Sequence, residues 1–79
     1  MKINTLYFGM IAEKRGLQSE TLVFSTGATL LNVKEKALEL IPSLDEMNYA
    51  IAVNQNLDSE NVALKEGDEI SFFPPFAGG

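Results

Sequence analysis

The chain contains no histidine and no cysteine among its 79 residues. Their absence removes the usual zinc ligands, the thiol nucleophile and the commonest general base. A serine or threonine hydroxyl would have no imidazole to activate it. No metal site is expected, and without disulfides the fold must rest on packing alone. Positive charge is also scarce: six Lys and Arg stand against eleven Asp and Glu, a net charge of −5. That balance argues against nucleic acid, which needs a basic surface. It suits solubility first, and steering toward a basic protein partner second. No apolar run approaches the roughly 18 residues of a membrane span, and no signal peptide is visible, so a cytoplasmic location and no membrane contact are expected.

What remains is one small domain with an ordinary apolar fraction of 46%. The acidic pairs Asp45-Glu46, Asp58-Glu60 and Asp68-Glu69 fall in expected loops or at element ends, where solvated charge is the default. So short a chain also has trouble enclosing a cleft. No self-contained active site is expected.

Alternation predicts a first strand over residues 2–8, with Ile3 and Tyr7 on one face and Asn4 and Phe8 on the other. Gly9 to Gly16 reads as a connection with one helical turn through Ala12-Glu13-Lys14. Thr21 to Phe24 reads as a second strand. The clearest helix comes next, capped by Thr29, striped by Leu30, Val33, Ala37 and Leu40 or Ile41, and stopped by Pro42. Tyr49 to Asn54 reads as a third strand, with a short strand near Asn56-Leu57, a tight turn at Gly67-Asp68 and a last strand from Glu69 to Phe73. One amphipathic helix can cover one face of a four- to five-stranded sheet. First and last strands lying side by side would be parallel, crossing over through the helix unit. The expected class is α+β, a mixed sheet packed on one main helix in the β-grasp, or ubiquitin-like, arrangement. The domain would span residues 1–73, with residues 74–79 as an extended tail.

The tail reads Pro74-Pro75-Phe76-Ala77-Gly78-Gly79. Two prolines cannot continue a sheet, and they stiffen the start of the tail. Six residues reach about 20 Å. Gly-Gly lets another backbone approach closely. Such an arm can deliver the terminal carboxylate of Gly79. Beside its root, alternation turns Ile70 and Phe72 toward the helix and Phe73 away from it. Phe8 and Phe73 should then meet on the open face, with Leu57 extending the patch.

Several stretches together resemble a known family, the small, sulfur-carrying subunit of molybdopterin synthase. They are Ala52-Val53-Asn54-Gln55, Glu66-Gly67-Asp68-Glu69-Ile70, Phe72-Phe73-Pro74-Pro75 and the final Gly78-Gly79, with a weaker match at Leu6-Tyr7-Phe8-Gly9. Two departures are Ala12, where many members carry arginine, and Phe76, where a smaller aliphatic residue is usual. The resemblance implies that a ubiquitin-activating-like adenylyltransferase uses ATP to adenylate Gly79. Sulfur then replaces AMP to leave a thiocarboxylate. It implies insertion of the tail into a large catalytic subunit, in a heterotetramer, and sulfur donation to a cyclic pyranopterin precursor. The chain alone would be no enzyme, only the sulfur-donor subunit of a sulfurtransferase, and would bind no cofactor itself. Partner contacts would fall on Phe8, Leu57, Phe73, Pro74, Pro75, Phe76, Ala77 and Gly78. Two alternatives stay open: a thiamine-type sulfur carrier, or a ubiquitin-like modifier conjugated through Gly79.

Overall fold

The alternation at the start of the chain becomes β1, Lys2–Tyr7, whose Ile3, Thr5 and Tyr7 are buried while Lys2 and Asn4 face solvent. The computed structural model describes residues 1–57 and 61–74. β2, Ser19–Val23, runs antiparallel to β1 with Ile3 opposite Leu22 and Thr5 opposite Glu20. β4, Glu69–Phe73, lies on the other side of β1 and parallel to it, Asn4 opposite Glu69 and Tyr7 opposite Phe72. β3, Ala50–Val53, closes the sheet antiparallel to β4, giving the order β2-β1-β4-β3. A mixed four-stranded sheet under one long helix is the β-grasp arrangement. Its parallel centre is what the first and last strands were expected to form.

The long helix α2, Leu30–Leu40, buries Leu30, Val33 and Ala37 against the sheet. Ile3, Ile70 and Phe72 meet it from below, all fully buried. Thr29 stands at the expected N-cap, where it closes a capping box with Asn32: its N–H donates to Asn32 Oδ1 at 2.8 Å. The next two free donors are satisfied from far along the chain. Leu30 N–H donates to the Val62 carbonyl at 3.0 Å and Leu31 N–H to Asn61 Oδ1 at 2.9 Å. Orphan N–H groups of a first turn need such acceptors, so these bonds fasten α2 to the segment before β4. Pro42 comes after the helix and opens a 3₁₀ segment, Pro42–Glu46, that buries Leu44.

Three expectations need correction. The connection after β1 holds a full short helix, α1, Gly9–Arg15, rather than one turn at Ala12-Glu13-Lys14. Only Ile11 is buried in it, so no stripe announced it; local bonds from Ile11 and Ala12 N–H to the Phe8 carbonyl start it, and Gly16 in the left-handed region ends it. The short strand near Asn56-Leu57 is a single bridge: Val53 and Asn56 exchange two backbone bonds of 2.9 Å across Asn54-Gln55. Asn54 and Gln55 both have positive φ, 49° and 70°, the signature of a tight primed turn. That turn uses up the pairing groups, and the sheet has four strands among the described residues. Asp68 is not solvated charge but 8% exposed. It accepts bonds from Lys65 N–H at 2.8 Å and Asn54 Nδ2 at 3.1 Å, and holds the turn before β4. The acidic pair Asp58-Glu60 lies outside the described residues.

The Thr5 hydroxyl faces the core fully buried and has no hydrogen-bond partner among the described residues. A buried hydroxyl without a partner carries an uncompensated desolvation cost of about 1–3 kcal/mol. Thr5→Val keeps the shape and the strand preference while deleting that group. It should stabilise the domain by about 1 kcal/mol, a rise in Tm of roughly 4–8 °C by thermal denaturation.

Candidate docking face

The sheet face turned away from α2 is sorted by register into a polar and an apolar end. Asn4, Thr21 and Glu69 lie level with one another near the start of β1 and β4. Ala52 is level with Ser71, Ala50 with Phe73, and Leu6 pairs across to Ser71 at the other end. The small residues make a floor: Ala52 and Ser71 are buried although no helix among the described residues covers them. Larger side chains make the walls. Leu6, Phe8, Leu57 and Phe73 surround a depression of about 420 Å³, with Gln55 and Glu69 at its rim.

Phe8 and Phe73 meet as expected. The Phe8 N–H donates to the Phe72 carbonyl at 3.1 Å, extending the β1–β4 ladder one residue further. That brings the rings to a centroid separation of 4.8 Å and 9° from parallel. Stacked pairs at such distances add about 0.5–1.5 kcal/mol beyond their buried area. Phe8 is nevertheless 42% exposed, and Leu57 is 62% exposed. Clustered apolar exposure of this kind marks contact surfaces. Pro74 is half-buried directly after Phe73. Pro75, Phe76, Ala77, Gly78 and Gly79 lie outside the described residues. Ala12 lines a second, more polar hollow between α1 and β2, of about 640 Å³, shared with Glu13, Gln18 and Ser19. The short alanine side chain leaves Glu13 as the only charge lining it among the described residues.

The floor residues Ala50, Ala52 and Ser71 went unnoticed in sequence, although small side chains at alternate strand positions are a readable signal. A second missed element is the anchor below the aromatic pair. Arg15 grips Glu20 with two bonds, Nε to Oε2 at 2.7 Å and Nη2 to Oε1 at 2.8 Å. The Tyr7 hydroxyl donates to Glu20 Oε2 at 2.6 Å. Together they clamp α1 to β2 and to the strand end that carries Phe8. The Arg15 bonds hold the Glu20 carboxyl below its ordinary range against the opposing effect of burial. Burial, and then the hydrogen bond and charge of Glu20, push the Tyr7 phenol upward.

Fold and face together define a small ubiquitin-like protein with an apolar dish beside Pro74. The ThiS family matches residues 5–79, and the chain belongs to that family. It is 34% identical over 80 residues to a molybdopterin synthase sulfur carrier subunit from Haemophilus influenzae, covering 98% of this chain and 99% of the relative. A subunit of the same name from Chlamydomonas reinhardtii is 31% identical over 83 residues, covering all of both chains. Among solved structures, a chain of the complex of subunits 1 and 2 of molybdopterin-converting factor from Helicobacter pylori superposes with a TM-score of 0.68 at 30% identity, covering all of both chains. SAMP1 from Haloferax volcanii shares the fold with a TM-score of 0.85 at 20% identity, again covering all of both chains.

The clamp predicts stability lost at both ends of the pH range. A lowered carboxyl pKa contributes stability that is present above the ordinary value of 4.5 and lost as pH falls through the lower folded value. A raised phenol pKa contributes stability that is present below the ordinary value of 10.0 and lost as pH rises above it. Denaturant melts across pH should show Glu20→Gln flattening the acid limb, leaving the part due to Asp68, whose carboxyl is also held low, and Tyr7→Phe flattening the alkaline limb, leaving the part due to Tyr49, whose phenol is also raised by burial.

Proposed function

We propose that this chain is the sulfur carrier of a molybdopterin synthase, with the Gly79 carboxylate as its working group. The observation that carries this reading is the placement of an exposed aromatic dish at the root of a Pro-Pro tail ending in Gly-Gly. End-to-end similarity to sulfur carrier subunits supports it. A carboxylate with a pKa of about 3.3–3.7 is an unreactive anion at neutral pH and needs activation. An adenylyltransferase attaches AMP from ATP and releases pyrophosphate. A sulfur nucleophile then attacks the carbonyl carbon, AMP leaves, and a thiocarboxylate remains. The dish docks on the large synthase subunit, and Pro74-Pro75 lowers the ordering cost of threading the tail into that subunit's site. Sulfur passes to a cyclic pyranopterin precursor, and water attacks the acyl carbon to restore the carboxylate. Every base in this scheme belongs to a partner, which suits a chain without histidine or cysteine.

Of the two alternatives, the ubiquitin-like modifier has a fold neighbour in SAMP1. Intact mass after co-expression with the activating enzyme separates it from the carrier. The carrier gains about 16 Da as one oxygen becomes sulfur, and a thiol reagent captures the product without interference from any cysteine. Stable adducts on target lysines, with no thiocarboxylate, would point to the modifier instead.

The docking role has its own test. Phe73→Arg places a charge in the dish and removes the stack on Phe8, so the domain should lose about 1 kcal/mol, a fall in Tm of roughly 4–8 °C, and still fold. Affinity for the large subunit should fall by about 30-fold or more, the loss of one hot-spot contact. Unchanged affinity by calorimetry would remove Phe73 from the interface.

A further inference from the structure

The charges that line the open side of the sheet are of one sign. Among the described residues, the apolar dish holds a single charged side chain, Glu69 at its rim. The hollow between α1 and β2 also holds one, Glu13. The two depressions are neighbours, because Leu6 and Phe8 line both. A third, around Asn4 and Thr21, adds Glu20 and meets Glu69 again. Glu20 is already paired with Arg15.

Glu13 and Glu69 have no such partner: the salt bridges among the described residues are Arg15–Glu20 and Lys36–Glu39. Glu13 is exposed on α1 and Glu69 is half-buried at the start of β4. Lys2 turns to the same side beyond Asn4, yet it lines neither depression. The net charge of −5 does not account for this sorting. In the two depressions that border α2 the lining charge is Lys34, a cation.

The register makes the two carboxylates hard for a partner to avoid. Glu69, Ser71 and Phe73 alternate onto one side of β4, so Glu69 and Phe73 are about 13 Å apart along the strand. A surface that covers the dish therefore reaches Glu69, and one that covers Phe8 comes up against the hollow of Glu13. A carboxylate covered without a cation opposite keeps its lost hydration uncompensated.

We propose that the open face selects a partner surface with an apolar centre flanked by basic side chains, one opposite Glu13 and one opposite Glu69. The identity of that partner, the large synthase subunit, rests on the carrier reading. Paired rim charges act chiefly on the rate of association and on its salt dependence, whereas the apolar centre holds the complex together once formed.

Stopped-flow association of the full chain with the large subunit of the same organism tests this at about 0.05 M and about 1 M salt. Glu13→Lys combined with Glu69→Lys should slow association about tenfold at low salt and less than about twofold at high salt, with dissociation changed less than about threefold. Glu13→Lys alone should slow it about threefold. Glu35→Lys combined with Glu39→Lys makes the same change in net charge from exposed positions on α2 and should alter the rate less than about twofold. Equal slowing by both pairs would assign the effect to net charge and overturn the proposal. So would unchanged or faster association of the Glu13 and Glu69 variants, or a loss carried by dissociation at every salt concentration. If a reversal does not fold, Glu13→Gln with Glu69→Gln keeps both side-chain sizes and should slow association about threefold at low salt. A parent chain that does not bind the large subunit removes the carrier reading and this inference together; a parent that binds, with variants that bind as fast, removes the inference alone.

Discussion

The parallel pairing of β1 with β4 is the constraint on which the rest of the molecule depends. It joins the two ends of the described chain at the centre of the sheet. Its register buries Ile3, Tyr7, Ile70 and Phe72 together under α2. The same register, carried one and two residues further, brings Phe8 to Phe73 and Gly9 to Pro74. A slip of either strand by one residue would turn that strand's side chains to the opposite face and break both sets of contacts. Core and candidate docking face are thus two consequences of a single alignment. Any change that loosens the core also moves the face.

Around that centre the structure separates rigidity from exposure. The core side has a helix whose first N–H groups are tied to Asn61 and Val62, far along the chain. The turn before β4 is held by Asp68, and the turn after β3 by two backbone bonds across Asn54-Gln55. The open side has a floor of alanine and serine and a wall of large apolar residues that stay partly in water. This arrangement suits a surface that must meet a partner without rearranging. The Arg15–Glu20–Tyr7 clamp serves the same end, because it fixes α1 beside the strand terminus that carries Phe8.

How much of this could be read in advance depended on whether the signal was periodic. Ile3, Thr5 and Tyr7 alternate, and Leu30, Val33 and Ala37 repeat at helical spacing, so the strand and the long helix were legible. The aromatic pair was legible too, since the meeting of Phe8 with Phe73 comes from alternation once the parallel topology is assumed. α1 was not, because seven residues with one buried side chain offer no period to count. The supposed strand at Asn56-Leu57 misled because its residues do pair, but only once, across a turn with two positive φ angles. Asp68 looked like surface charge because sequence cannot show that Asn54 and Lys65 would converge on it.

By itself the sequence determined which chemistry to expect. It offers neither imidazole nor thiol, and its two prolines before Gly-Gly made residues 74–79 the segment expected to be presented. Local spacing also determined which side chains would turn toward α2, because strand and helix periods are properties of neighbouring residues. Only the tertiary structure decided what lies beside what. The dish has its floor from β3 and β4 and its walls from β1 and the segment after β3. Its clamp joins α1 to β2, and Gly9 lies against Pro74, from the far end of the described chain. Such distances between atoms are consequences of the parallel register, which no local stretch of the chain encodes.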